Sequence, residues 1–377
     1  MSNSDGFVNT GAFDNETMHT AMRESLELGT RFAKSSEALS RIRDSDVDVG
    51  ATPKTEVLRV DKMTLHRYNP LPGVEVVTEP MIIVYGLVGR YTMADLQEDR
   101  SLVRNLLERG VDLYVVDWGE PSRADQYQTM DDYAEGYLGD CIDHVRQAHE
   151  LDSISVLGIC EGGVFSTIYA SLYPKKVKNL ILTITPIDFH GDKNDTDPSH
   201  GLLNIWTRNL TVEDIDRLVE AYGNLTGEIM ASIFNMMTPV RSMTKYNVGL
   251  LDASKDDKKF LNYLRMEKWL ADRPHHPGAA AKQLLVDLYK ENRLIKGTLE
   301  VAGQRISLKN LTMPILNVFA MQDHIIPPPC SQALRDFVGT DDYTDIPLPG
   351  GHVGVYVSGK SQGIVGDGVF RWLMDRQ

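Results

Sequence analysis

The fold is decided by the stretch Ser153-Ile-Ser-Val-Leu-Gly-Ile-Cys-Glu-Gly-Gly163, in which an apolar run ends at a cysteine with glycines on either side. The residues that follow, Val164-Phe-Ser-Thr-Ile-Tyr-Ala170, have the pattern of a helix. A strand that turns this sharply into a helix strains its apex residue, and glycines leave room for the neighbouring chain. The helix N-terminus favours a thiolate over a thiol. The stretch therefore predicts a nucleophile elbow with Cys160 at its apex, which indicates acyl-transfer chemistry.

Apolar strand-like runs alternate with helical stretches on both sides of this elbow. Such a pattern predicts a mostly parallel central sheet covered on both faces, so we expect an α/β fold. An antiparallel hairpin is expected earlier, over residues 57–60 and 63–68. The alternation stops between Thr185 and Lys309, where we expect a large cap inserted before the late strands. The predicted parallel strands are Met81–Tyr85, Leu113–Val116, Ile154–Leu157, Leu180–Ile184 and Pro314–Ala320, followed by a short strand at Tyr343–Ile346.

The chain has 377 residues and 42% hydrophobic content, which is enough for one large α/β core carrying an insertion. We divide it into an N-terminal helical extension (1–50), an α/β core (51–184 and 310–377) and a cap or lid (185–309). Within the extension, apolar residues at near-helical spacing predict a long helix between Met18 and Arg43. This helix either docks a partner or packs on the body of the protein.

A cysteine nucleophile needs a base and a group that orients the base. Asp323 follows one late strand and His352 follows the last one. The carboxyl ends of parallel strands face one crevice, so both residues can converge on Cys160. Their order along the chain, nucleophile then acid then histidine, is that of α/β-hydrolase triads. His324 beside the acid is either structural or supports Asp323.

The oxyanion formed at an attacked carbonyl needs backbone N–H donors. One is expected from Glu161, directly after the nucleophile. The other is expected from the glycine-containing loop 86–89 after the first parallel strand, at Val88. The charge of Glu161 suits a helix N-terminus but opposes ionisation of the adjacent thiol, a cost that is small if the carboxylate points to solvent.

Composition limits the alternatives. With 39 basic and 53 acidic residues the net charge is −14, which opposes binding to nucleic acid or anionic lipid. Three cysteines favour a reducing compartment such as the cytoplasm. No signal peptide and no apolar run long enough to span a bilayer is expected. Cys141 is interpreted as a core thiol, Cys330 as a loop residue and His275-His276 as a solvated loop rather than a metal site.

Several motifs together resemble the catalytic subunit of the class III polyhydroxyalkanoate synthases. The resemblance runs from about Thr52 to the C-terminus. The motifs are the elbow, Asp117-Trp-Gly119, Tyr91-Thr-Met-Ala-Asp-Leu-Gln97, Arg265-Met-Glu-Lys-Trp269, Gln322-Asp-His324 and Gly350-Gly-His-Val-Gly-Val-Tyr-Val-Ser-Gly-Lys360.

The resemblance implies polymerisation of (R)-3-hydroxyacyl-coenzyme A, mainly 3-hydroxybutyryl-coenzyme A, into polyester with release of coenzyme A. It assigns the triad to Cys160, Asp323 and His352. It also implies no cofactor beyond the thioester substrate, a helical second subunit, a granule-surface location in the cytoplasm and a homodimer as an option. Two points stay open: the group that deprotonates the 3-hydroxyl, and the alternative that water is the acceptor, as in a cysteine-dependent thioesterase or polyester depolymerase.

Overall fold

A computed structural model describes residues 15–194, 201–237 and 249–376. Its contacts form two compact units, one from the described residues of 1–47 and 239–264 and one from those of 48–238 and 265–377. The α-helices of the described residues are α1 (Asn15–Arg41), α2 (Leu102–Leu107), α3 (Leu138–Ala148), α4 (Glu161–Leu172), α5 (Leu202–Asn209), α6 (Val212–Tyr222), α7 (Gly227–Met237), α8 (Leu250–Ala253), α9 (Asp257–Ala271), α10 (Gly278–Gln283), α11 (Pro328–Gln332), α12 (Gly354–Val357) and α13 (Ser361–Met374). Turns of π-helix at Asp132–Tyr137 and Leu284–Lys290 adjoin α3 and α10.

The larger unit is built on a sheet of eight strands. The strands of the described chain are β1 (Lys54–Val60), β2 (Met63–Tyr68), β3 (Met81–Val84), β4 (Asp95–Gln97), β5 (Arg100–Ser101), β6 (Leu113–Asp117), β7 (Ile154–Ile159), β8 (Val177–Thr183), β9 (Glu300–Val301), β10 (Gln304–Arg305), β11 (Ile315–Ala320) and β12 (Tyr343–Leu348). The sheet order is β1-β2-β6-β3-β7-β8-β11-β12, while β4 pairs with β5 and β9 with β10. Along this sheet order, each strand from β6 onward pairs with the next in parallel, through β3, β7, β8 and β11 to β12. Strand β2 pairs antiparallel with both of its neighbours, β1 and β6.

The central strands are buried on both faces, which explains their continuous apolar sequence. On β3, Ile82 and Val84 belong to one apolar cluster, which also contains residues of α3 and α4. The alternate residues Met81 and Ile83 belong to a second cluster, which contains residues of α2 and α13. Side chains on a strand point alternately to opposite faces, so one short strand contributes to both layers. The predicted α/β fold with a mostly parallel sheet is confirmed.

Most predicted elements occur within a few residues of their expected positions. The hairpin is formed by β1 and β2, with an irregularity between Glu56 and Leu58. The predicted N-terminal helix is α1, and its Ser35 hydroxyl lies 2.6 Å from that of Ser254 just after α8. Among the described residues between 185 and 309, helices replace the alternation, apart from the two-residue strands β9 and β10. Residues 1–14 of the predicted extension and residues 195–200 and 238–248 of the predicted cap lie outside the described residues, and the division into extension, core and cap stays a prediction.

None of the helices in the described part of the chain combines the length and apolar character that crossing a bilayer requires.

Candidate active site

Cys160 occupies a sharp turn between β7 and α4. Its backbone has φ 53° and ψ −119°, a left-handed conformation that a residue with a side chain rarely adopts and that costs about 1–3 kcal/mol. Its N–H donates to the carbonyl of Thr183 on the neighbouring strand, at 3.0 Å. A Cβ at Gly162 would lie 2.2 Å from the carbonyl oxygen of Val84, and one at Gly163 would lie 1.9 Å from the Thr185 hydroxyl. The predicted strained elbow and the need for its glycines are therefore present.

Asp323 is held by the backbone that follows it. Its side chain is fully buried, and one oxygen accepts from the N–H groups of Ile325 and Ile326, both at 2.9 Å. The other oxygen lies 2.7 Å from Nδ1 of His352. The loops that carry the two residues are joined through Gln322, whose N–H donates to the carbonyl of Gly350 at 2.9 Å. Because β11 and β12 are parallel neighbours, their carboxyl ends bring the acid and the histidine together.

The histidine is oriented toward the elbow. With Nδ1 bound to Asp323, its remaining ring nitrogen is available for Cys160, with which the ring interacts electrostatically. Burial of the ring lowers the pKa of His352, but the charge of Asp323 and the nearby Cys160 outweigh it and raise the pKa to about 10. A protonated imidazole beside the sulfur stabilises a thiolate. The three predicted catalytic residues thus lie together.

Three tyrosines interact electrostatically with Cys160: Tyr289 and Tyr356, which are buried, and Tyr85, which is partly buried. Burial, together with the charge of Cys160, raises the pKa of Tyr85, Tyr289 and Tyr356 above the usual value for tyrosine. These phenols consequently stay protonated and neutral at physiological pH. Tyr356 forms a hydrogen bond with Thr183 of β8. Tyr356 lies in the motif 350–360 and Tyr85 at the end of a predicted strand, but sequence reasoning assigned no role to any of the three tyrosines.

The side chain of Glu161 does not point to solvent. It is 5% exposed, and Oε2 accepts from the N–H of Leu87 at 2.7 Å. Oε1 lies 2.9 Å from Nε2 of His276, whose side chain is 1% exposed. The interpretation of His275-His276 as a solvated loop was therefore wrong for His276, since backbone hydrogen bonds of 2.9 Å in both directions with Leu225 bury it. The ring N of His275 accepts from Gly227 N–H.

The predicted oxyanion donors lie on the two segments that this carboxylate joins. Glu161 begins α4, where the first N–H groups of a helix have no partner within it. In the loop after β3, the N–H of Leu87 is already bound to Glu161, which leaves the next N–H, that of Val88, as the candidate. His324 follows Asp323, and its carbonyl accepts from Gly201 at 3.2 Å. Its supporting role remains a prediction.

The two other thiols differ from Cys160. Cys141 is fully buried in α3, as predicted, and burial raises its pKa well above that of an ordinary thiol. Cys330 is also buried, and burial with nearby carboxylates raises its pKa to about 12. The expectation that Cys330 lies in a loop was wrong, since it belongs to α11. Proline is compatible with the first positions of a helix, so the preceding Pro327-Pro-Pro329 does not exclude one.

Comparison with known proteins gives the same fold. Residues 79–357 match the family described as alpha/beta hydrolase fold. A thermophilic esterase from Thermogutta terrifontis, solved with malate bound, aligns with 86% of this chain and 98% of its own at a TM-score of 0.51 and 15% identity. At that identity the likeness concerns the fold alone.

Closer relatives are curated proteins named poly(3-hydroxyalkanoate) polymerase subunit PhaC. The one from Thiocystis violacea is 41% identical over 91% of this chain and 94% of its own. Those from Allochromatium vinosum (42% identical, 88% and 90% covered) and Synechocystis sp. (41%, 94% and 93%) agree. The chain therefore belongs to the PhaC family of poly(3-hydroxyalkanoate) polymerase subunits, within the α/β-hydrolase fold.

Proposed function

We propose that this chain polymerises (R)-3-hydroxyacyl-coenzyme A into poly(3-hydroxyalkanoate) and releases coenzyme A, with the growing chain held as a thioester on Cys160. The observation that carries the proposal is the cysteine elbow beside the Asp323–His352 pair, in a chain about 41% identical to polymerase subunits over nearly its whole length. A thioester exchanges onto a thiol with little change in free energy, so the chain stays activated for the next addition.

In the first half of the cycle, the Cys160 sulfur attacks the carbonyl carbon of the substrate thioester. The oxyanion that forms is bound by the N–H groups of Glu161 and Val88. Collapse of this intermediate breaks the bond between carbon and the coenzyme A sulfur. The protonated ring of His352 gives its proton to that sulfur, so coenzyme A leaves as the thiol and the imidazole becomes neutral.

In the second half, neutral His352 takes the proton from the 3-hydroxyl group of the next (R)-3-hydroxyacyl-coenzyme A. The oxygen of that group attacks the thioester that holds the chain on Cys160. An ester bond forms, the carbon–sulfur bond to the enzyme breaks, and the thiolate–imidazolium pair is restored. We assign this proton transfer to His352 rather than to Asp323, because both carboxylate oxygens already accept hydrogen bonds from the protein. Asp323 then orients the ring and stabilises its charge.

Water in the site would release the chain as a free acid, so the acyl group must be shielded. We propose that the segment between 185 and 309 is this shield. The alternative function, a cysteine-dependent thioesterase or depolymerase, would use the same triad with water as acceptor. The relatives' names favour the polymerase.

We further propose that the chain works in the cytoplasm at the surface of polymer granules and together with a helical second subunit. The word subunit in the relatives' names supports a partner. Helix α1 offers a surface for it, because Met22, Leu26, Leu28 and Phe32 are more than half exposed. A homodimer remains a second arrangement to be tested by sedimentation of the purified chain.

The test is incubation of the purified chain, with and without a co-expressed helical partner, with (R)-3-hydroxybutyryl-coenzyme A. We expect coenzyme A release together with long polyester, and neither from the Cys160→Ala variant. Release of only free 3-hydroxybutyrate under both conditions would instead identify a hydrolase.

A further inference from the structure

One buried carboxylate joins three separate segments of the larger unit. Glu161 belongs to the start of α4, Leu87 to the loop after β3, and His276 to the stretch before α10. Gly86 lets the first two approach, since a Cβ there would lie 2.6 Å from that of Glu161. His276 is itself fixed by the paired backbone hydrogen bonds to Leu225. The loop, the nucleophile helix and the inserted region are thus connected through a single side chain.

We propose that the buried Glu161–His276 pair is a positioning element that holds the loop after β3 against the nucleophile helix, so that the Val88 N–H stays directed at the carbonyl oxygen under attack. The inference rests on the proposed acyl-transfer function and adds two residues to it. A hydrogen bond to a charged acceptor is shorter and stronger than a neutral one, and the 2.7 Å contact with Leu87 is of this kind. It fixes the backbone one residue before the proposed donor.

The contact between Glu161 and His276 is enclosed within the protein. Oε1 of Glu161 lies 2.9 Å from Nε2 of His276, and Nδ1 of the same ring lies 3.3 Å from the carbonyl of Pro277. A polar side chain that is removed from water needs such partners. The ring of His276 therefore keeps the carboxyl group of Glu161 in place against Leu87.

Two reactions of the same sulfur separate positioning from nucleophilicity. Attack on iodoacetamide displaces iodide from a saturated carbon and forms no oxyanion, whereas attack on a thioester does. Disturbing the oxyanion loop should therefore slow acyl transfer and leave alkylation of Cys160 nearly unchanged. A general structural defect, or a change in the thiol itself, would slow both.

The experiment compares Glu161→Ala with Glu161→Gln in the full chain, using coenzyme A release from (R)-3-hydroxybutyryl-coenzyme A at saturation and the iodoacetamide rate at Cys160, read by peptide mass. Glutamine keeps an acceptor for Leu87 and offers an amide N–H to His276. The matched control is Asp95→Ala, which removes another buried carboxylate that binds a backbone N–H, that of Thr52, away from the site.

We expect turnover of Glu161→Ala to fall about 100-fold, with its KM and its alkylation rate within threefold of the wild type. Glu161→Gln should retain at least tenfold more turnover than Glu161→Ala, and Asp95→Ala should stay within threefold of the wild type. A fall of less than tenfold, or an equal fall in turnover and alkylation, would overturn the proposal. A wild-type chain that alkylates normally but releases no coenzyme A, even with the co-expressed helical partner, would instead refute the proposed function.

A second measurement tests whether His276 acts through Glu161. Adding His276→Ala to the Glu161→Ala variant should change turnover by less than threefold, although His276→Ala alone should lower it at least tenfold. If the two losses multiply, His276 acts independently and the proposed pair is wrong.

Discussion

Replacing Asp323 by asparagine tests the electrostatic basis of the site. Asparagine can keep the acceptor for the N–H groups of Ile325 and Ile326, but it removes the charge next to His352 and presents an amide N–H to Nδ1. The ring then loses the partner that stabilises its protonated form. A less stable imidazolium supports less thiolate on Cys160.

The magnitude follows from the pKa of His352, which lies at about 10 rather than 6.5. This difference corresponds to about 5 kcal/mol. Burial acts in the opposite direction, and the raising effect is shared between Asp323 and Cys160. If Asp323 supplies about 2 kcal/mol of this net effect, its loss changes the ratio of ion pair to neutral pair by about 30-fold.

The assay is alkylation of Cys160 by iodoacetamide at pH 7, followed by peptide mass and compared among the wild type, Asp323→Asn and the control Asp95→Asn. Cys141 and Cys330 are buried and serve as internal thiols that should stay unmodified in the folded protein. We expect a slower reaction in Asp323→Asn, by up to about 30-fold, and a change below threefold in the control. A rate for Asp323→Asn within threefold of the wild type would show that the acid does not sustain the thiolate.

Three further predictions concern other parts of the chain. Gly86→Ala should lower turnover at least tenfold, because the added Cβ would meet the side chain of Glu161. Equal turnover in the wild type and the variant would contradict the close approach of the loop after β3 to α4. Asp192, whose pKa is lowered because its hydrogen bond and charge pairing with Arg208 outweigh its burial, should contribute about 2 kcal/mol to stability. Because the folded-state pKa is depressed, this contribution is complete above the unfolded value of about 3.9 and is lost as the pH falls through the lower folded-state pKa. Asp192→Asn should therefore be less stable than the wild type at pH 7, and the difference should shrink at acidic pH; urea unfolding of both proteins at the two pH values checks this. Finally, Leu26→Ser on the exposed face of α1 should weaken co-purification of the helical partner without changing thermal unfolding, and unchanged co-purification would exclude this face.

The elbow and the triad loops were predictable because local rules determine them. A glycine-flanked residue between a strand and a helix has few possible conformations, and the observed φ of 53° at Cys160 is the strained one expected. Asp323 and His352 are far from Cys160 in sequence, yet the direction of parallel strands alone places their loops at one edge. The run of apolar residues also predicted the sheet, since its central strands β3, β7 and β11 are buried on both faces.

The Glu161–His276 contact could not be predicted in the same way. It joins residues 115 positions apart, and one partner comes from an insertion whose path no periodic pattern describes. Prolines around His276 indicated a loop, but a short backbone bridge to Leu225 buries it. A signal was nevertheless present: α4 is apolar and buried from its first residue, so a glutamate there requires a buried partner.

One cation lies beside the loop that carries the proposed oxyanion donor. The guanidinium of Arg273 donates a 3.4 Å hydrogen bond to the carbonyl of Val88 and lies over the ring of Phe234. Burial lowers its pKa, but arginine stays charged at neutral pH. The residue whose N–H is the proposed donor is thus also bound by a positive charge, which favours the negative charge that develops on a carbonyl oxygen under attack.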